Sequence, residues 1–334
     1  VKALLYADWD ELRVVETPDP QPAPNEVRIK VEAAGICGSE LEAVRKRSAR
    51  RPPPLILGHE FTGTIDQLGP NVTNWKIGDP VVANAVIACG NCPACLRGQT
   101  HLCANRQLFG MHRPGGFAEF VCAPERVLIP RPKEVIPQVA ALTEPLANGV
   151  HISNLLKNGP AKVLVIGAGP IGLLAMQAIK VLHQVEVAII DHSQPRLQIA
   201  KKLGAAATFQ PEEETRIKDW IKNGVPATVD AVGAEATKQA SIQYLQPGGT
   251  AVWIGLHENE GHLNAYDLIL AEKQVQGSYA CTQQELQQAL NLLATNQIDA
   301  ESWITSYPLD QADQAFQTML NPGPQDVKGV IIPA

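Results

Sequence analysis

Val163-Leu164-Val165-Ile166-Gly167-Ala168-Gly169-Pro170-Ile171-Gly172 decides how the chain is read. Four apolar residues suited to a buried strand run straight into G-x-G-x-x-G, and a helical pattern follows at Ile171, Leu174, Ala175, Ala178, Ile179 and Leu182. In a strand–turn–helix of this kind the first glycine makes the tight turn. The second lets backbone approach a pyrophosphate, and the third lets helix and strand pack closely. The helix N-terminus then offers free N–H groups to the anion. Alone, the hexapeptide is equally a Gly-rich turn. What adds weight is Asp191, nineteen residues after Gly172 at the end of the next strand, where a carboxylate accepts from ribose hydroxyls and repels a 2′-phosphate. NAD is therefore expected rather than NADP. The candidate contacts are Gly167, Gly169, Pro170, Ile171, Gly172, Asp191 and Arg196.

Working outward, strands are expected at Val185–Ile190, Thr228–Val232, Thr250–Ile254 and Gln274–Tyr279, with a helix from about Pro195 to Leu203. That alternation predicts a doubly wound parallel sheet over 148–280. Residues 1–147 read as β-rich, with short alternating stretches such as Val27–Val31 and Gly116–Val121 between Pro and Gly clusters. Beyond 280 come an amphipathic helix from Gln283 to about Thr295, the segment Trp303–Pro308, a helix from Asp310 to Leu320, and the apolar ending Val327–Pro333. A strand in that ending would most easily pair back onto the first domain.

A length of 334 residues suits two domains, and a net charge of −6 gives no reason to expect nucleic acid or an anionic membrane as partner. The uncharged apolar run Val163 to Ile179 falls short of the roughly 18–20 residues of a membrane span and is broken by glycines. The first residues lack the basic-then-apolar run of a signal peptide, so a soluble cytoplasmic protein is expected.

Four of the seven cysteines crowd into Cys89-x2-Cys92-x2-Cys95-x7-Cys103, enough for a closed tetrahedral zinc site. Such a site has no open position, so its role is structural. Ferredoxin runs also open with C-x2-C-x2-C, but their fourth cysteine follows after three residues and precedes proline. Here seven residues intervene and Ala104 follows. Cys37, His59, Glu60 and Glu144 supply the ligand types of a catalytic zinc, yet they carry no local spacing signature. Each is equally a core thiol, a hydrogen-bonded histidine or a solvated carboxylate.

Ala34-Gly35-Ile36-Cys37-Gly38-Ser39, Gly58-His59-Glu60, the four-cysteine lobe, Glu144-Pro145-Leu146-Ala147 and the Gly167–Gly172 turn together resemble the zinc-dependent medium-chain dehydrogenases, and within them the sorbitol (polyol) dehydrogenase branch. The resemblance implies an α/β architecture with a GroES-like catalytic domain from 1–147 plus 281–334. It implies a Rossmann domain over 148–280, and a cleft holding the catalytic zinc beside the nicotinamide. Two zinc ions per chain and NAD follow as cofactors. Cys37 and His59 match invariant ligands, and Glu60 and Glu144 match carboxylates that coordinate directly, exchange, or act through water. Ser39 matches the hydroxyl that takes the substrate proton, so Ser39, Glu60 and Glu144 are the catalytic candidates. The activity implied is hydride transfer from a secondary alcohol, a polyol or polyol phosphate, to NAD, in a homodimer or homotetramer. A simple secondary-alcohol or diol dehydrogenase is the alternative. Zinc-free enone or quinone reductases and non-enzymatic members share the fold.

Three departures stand out. Glu40 replaces the usual Asp, Glu42 stands where a relay His is common, and Ala280-Cys281 occupies the place of the Arg-Tyr pair that binds the polyol in animal sorbitol dehydrogenases. The basic run Arg45-Lys46-Arg47-Ser48-Ala49-Arg50-Arg51 offers an anion site for a substrate phosphate or carboxylate, or a solvated loop.

Overall fold

The computed structural model describes residues 1–156 and 159–333. The chain forms two compact units, Val1–Ala147 with Cys281–Ala334, and Asn148–Ala280.

In the second unit six parallel strands lie in the order Ala207–Phe209, Glu186–Ile190, Lys162–Ile166, Val225–Asp230, Leu245–Trp253, Gln274–Gly277. The chain winds outward in both directions from Lys162–Ile166, so the sheet order reverses beside the Gly167 turn. Carboxyl ends of strands at such a switch point leave the crevice in which nucleotides bind. The helix Pro170–His183 packs on this strand with Gly172 to Ile179 all buried. Gly167 adopts φ +102°, and a Cβ on Gly172 would collide with the Gly167 carbonyl. Those two glycines therefore serve turn and packing. A Cβ on Gly169 would meet nothing within 4 Å, so its lack of a side chain keeps open space rather than relieving an internal contact.

The first unit is built on a mixed seven-stranded sheet. Its central strand Glu26–Gly35 pairs antiparallel with Glu60–Leu68, with Phe120–Pro124 and with Lys328–Ile332. Register sets what meets what: Gly35 lies opposite both Glu60 and Val330, and Ile36 N donates to Gly329 O at 2.9 Å. The strand thus delivers Cys37 to the point where the Glu60 strand begins and the last strand starts. A buried cluster including Leu4, Tyr6, Ile29, Phe61, Phe109, Phe117 and Phe316 holds this arrangement. The rings of Phe61 and Phe109, and of Phe117 and Phe316, meet edge to face.

Several expected elements differ in extent. Gly116–Val121 is not one strand: Gly116 and Phe117 spend their N–H groups on Gly58 O and Leu57 O, and pairing with Glu26–Lys30 starts only at Phe120. The helix expected from Pro195 runs Gln194–Lys202, one residue earlier because Ser193 Oγ caps it by accepting from Arg196 N. The edge strand stops at Gly277 rather than Tyr279. The ending does pair back, Lys328–Ile332 lying between Glu26–Gly35 and Ile304–Pro308. The helices Glu214–Ile221 and Glu235–Gln243 and the three-residue strand Ala207–Phe209 were not foreseen.

Candidate active site

Cys37 ends an extended segment and begins the helix Gly38–Arg45. Position N3 of that helix is Glu40, whose Oε2 accepts from Cys37 N at 3.2 Å, the reciprocal half of a capping box. The extra methylene of glutamate then sends the other oxygen further. Oε1 accepts from Gly58 N at 2.8 Å and lies 2.8 Å from His59 Nδ1. One fully buried carboxylate therefore caps the helix and orients the imidazole, fixing a proton on Nδ1 and leaving Nε2 to point elsewhere. Burial works against charge on His59, but the Glu40 carboxylate and Cys37 sulfur outweigh it, and the ring titrates well above its ordinary value. Glu40 is pulled below the carboxylate range by His59, against the push of its own burial.

Cys37, His59 and Glu60 each offer a ligand atom, all within 4.8 Å of one another. A thiolate, an imidazole and a carboxylate converging in that way fit zinc with a position to spare. Glu60 is also held by Lys328: the ammonium pairs with Oε2 and donates to Ile36 O at 2.8 Å, with both side chains 2% exposed. Gly35 is the residue that makes room, since a Cβ there would strike Glu60 Oε2 and crowd the lysine. Glu144 does not join the group. It is buried in the first turn of the helix Thr143–Leu155, where its charge, after burial, pushes up the Cys281 thiol.

Ser39 Oγ lies 3.3 Å from Cys37 Sγ, in hydrogen-bond contact, and accepts from Arg51 Nη2 at 3.2 Å. The basic run is mostly engaged by the protein itself. Arg45 donates to Leu320 O, Lys46 pairs with Glu42, Arg47 pairs with Asp10, and Arg51 turns inward. Arg51 and Lys328 were both missed as site residues. The signal for Lys328 was present: it is the sole charge in the apolar stretch Val327–Pro333, and a buried strand tolerates such a residue only with a partner. Arg51 is hidden among six neighbours of similar composition, and only burial separates it from them.

Cys89, Cys92, Cys95 and Cys103 also lie within 4.8 Å of one another. Sulfur separations of 3.4, 3.5 and 4.0 Å bracket the roughly 3.8 Å edge of a tetrahedron with Zn–S of about 2.3 Å. The Cys95 N–H draws the Cys92 thiol down to about 6, so thiolate is present there at neutral pH.

At the nucleotide turn, Asp191 Oδ2 accepts from Ala168 N and Oδ1 from Ser193 N, both at 2.7 Å. The carboxylate is thereby pinned beside the glycines with lone pairs left over. Arg196 sits one helical turn further on.

A raised His59 has a consequence for metal uptake. In metal-free protein a proton occupies Nε2 and must leave before a cation binds. Because that pKa is raised, the zinc affinity of chelator-stripped protein should already be falling with decreasing pH above the ordinary imidazole value of about 6.5, as the proton competes harder. A competition titration reads this directly, and a flat profile would contradict it.

Residues 23–133 match the alcohol dehydrogenase GroES-like domain and residues 170–295 the zinc-binding dehydrogenase domain. The chain is 35% identical to an L-threonine 3-dehydrogenase of Pyrococcus horikoshii over 77% of its own length and 76% of that protein's. It is 32% identical to a probable D-xylulose reductase A of Emericella nidulans over 88% and 86%. Galactitol-1-phosphate dehydrogenase from Escherichia coli superposes over the full length of both chains with a TM-score of 0.92 at 28% identity. With the site geometry and both domains accounted for, the chain belongs to the zinc-dependent medium-chain dehydrogenases.

Proposed function

We propose that the protein oxidises a secondary alcohol, a polyol or polyol phosphate, to a ketone with NAD as hydride acceptor. The observation that carries this reading is the convergence of Cys37, His59 and Glu60 beside the Ser39 hydroxyl. Zinc bound there would supply a Lewis acid that makes a substrate hydroxyl a stronger acid. The chain's own groups do the rest. Glu40 holds His59 in one tautomer, Lys328 positions the Glu60 carboxylate, Glu144, outside the group of three, is the carboxylate that would exchange with Glu60, and Ser39 accepts the substrate proton. The Cys89–Cys103 quartet holds a second, structural zinc. Asp191 beside the open Gly169 supports NAD over NADP.

The relatives named above support a substrate with vicinal polar groups. A second reading, L-threonine, is favoured by the 35% identity to a protein of that specificity, since threonine is itself a secondary alcohol. Arg50, exposed and without a side-chain partner among the described residues, is left as the cation of the basic run for a phosphate or carboxylate. The test is NADH formation across sorbitol, xylitol, galactitol 1-phosphate, 2,3-butanediol and L-threonine. Failure on all five would remove the proposal.

A homo-oligomer is part of the reading. The edge strand Gln274–Gly277 is exposed throughout, and Tyr266 at 73%, Ile269 and Leu270 at 81% exposure stand on the segment just before it, with exposed Leu256 in the preceding loop. An unpaired edge flanked by apolar side chains suits pairing across a two-fold axis. Light scattering should give a dimer or tetramer, and Leu270→Glu should shift it toward monomer.

A further inference from the structure

Arg51 is 6% exposed and makes no salt bridge within 4.0 Å among the described residues, acting only at longer range on the buried Glu40 carboxylate. A buried cation without a close ion pair is costly unless its donors find acceptors, and each of the three guanidinium nitrogens, using three of the five N–H groups, has one. Here Nε donates to Gly110 O at 3.0 Å, Nη1 to Ser39 O at 3.0 Å and Nη2 to Ser39 Oγ at 3.2 Å. The first two contacts would suffice to pin the loop to the helix. The third reaches a hydroxyl that is itself 3.3 Å from a candidate metal ligand.

We propose that Arg51 is a positioning residue for proton transfer, orienting the Ser39 hydroxyl as an acceptor toward the substrate. The inference rests on the dehydrogenase reading and deepens it. Guanidinium only donates, so one Ser39 lone pair is taken and the hydroxyl hydrogen cannot point toward Arg51. That hydrogen is directed to Cys37 Sγ, leaving the second lone pair for an incoming alcohol. The Ser39 hydrogen turns from Cys37 Sγ to a solvent water and leaves ahead of, or together with, the arrival of the substrate proton, and the new Ser39 O–H bond forms as the substrate O–H bond breaks. The hydride carries the electron pair to the nicotinamide, so one proton is released for each NADH formed. A guanidinium beside Ser39 favours the moment at which its oxygen bears most negative charge. It does not divert the proton, because it stays protonated throughout. Glu42 does not compete for the serine, being engaged with Lys46 one turn along.

The test is a double-mutant cycle on the full chain loaded with zinc, using whichever alcohol of the panel wild type oxidises fastest. Arg51→Gln should lower kcat by about 10- to 100-fold, at or below the lower end of direct proton-transfer contributions because Arg51 acts through Ser39, with KM moved by less than about threefold. Zinc content should match wild type. In a Ser39→Ala background the same substitution should cost less than about twofold, because the group it acts through is gone. Arg51→Lys should recover part of the loss, keeping charge without the three-way fork. Should Arg51→Gln fail to fold, Arg51→Lys is carried through the same cycle. Equal losses in both backgrounds, loss of zinc in step with kcat, or an unchanged kcat would each overturn the role of Arg51 alone. If wild type oxidises no alcohol, the dehydrogenase reading falls and the role falls with it.

Discussion

Cys37→Ser should remove one of the two zinc equivalents proposed per chain and lower kcat/KM by roughly 10³-fold or more, several kcal/mol of transition-state stabilisation at 1.4 kcal/mol per decade. The loss should be selective. Cys37 lies in the Gly35–Gly38 corner, far in sequence from the Cys89–Cys103 quartet, and the substituted hydroxyl leaves the Glu40 cap on its own N–H intact. The fold should therefore survive, with NADH binding unchanged and zinc by elemental analysis halved. Retained turnover together with both zinc equivalents would refute the assignment of this corner as the catalytic centre.

Lys328→Met is expected to have the largest effect on stability. Its removal strands the Glu60 carboxylate, 2% exposed at the side chain, without its counter-ion, and breaking one half of a buried pair costs about 3–5 kcal/mol. Ile36 O also loses its ammonium donor. Denaturant unfolding of metal-free protein should show the full loss, because a bound cation would otherwise share the charge of Glu60. Combining Lys328→Met with Glu60→Gln should recover most of it, since the double variant has no charge left to strand. A double variant as unstable as the single one would show that the lysine acts through packing alone.

Much of the second unit was legible because its signals are local. A strand, a tight glycine turn and a helix stand contiguous at 163–182, and the strand pattern at 185–190 ends on Asp191. The four-cysteine lobe is similarly self-contained. The catalytic corner was different. Gly35, Glu60 and Val330 are neighbours only because of antiparallel register, and no periodicity in the chain announces that meeting. Family resemblance supplied Cys37, His59 and Glu60, but not Lys328 or Arg51, whose roles depend on burial. Glu40 illustrates the limit well. The sequence shows it only as a departure from the usual Asp, whereas its longer arm spans Cys37 N, Gly58 N and His59 Nδ1 at once. Ala207–Phe209 is too short to show a period, and Glu214–Ile221 lacks a capping side chain, although Ile217, Trp220 and Ile221 stand at helical spacing.

Lys328 follows Glu60 by 268 positions. At a ribosomal pace of about 5–20 residues per second, the carboxylate waits on the order of tens of seconds before its neutralising ammonium is even made. Throughout that interval the nascent N-terminal sheet is missing the strand that completes it and exposes a flank at Glu26–Gly35. Newly made chains should therefore be most susceptible to proteolysis and chaperone capture on that flank, and a zinc ion arriving early would stand in for the missing ammonium at Glu60.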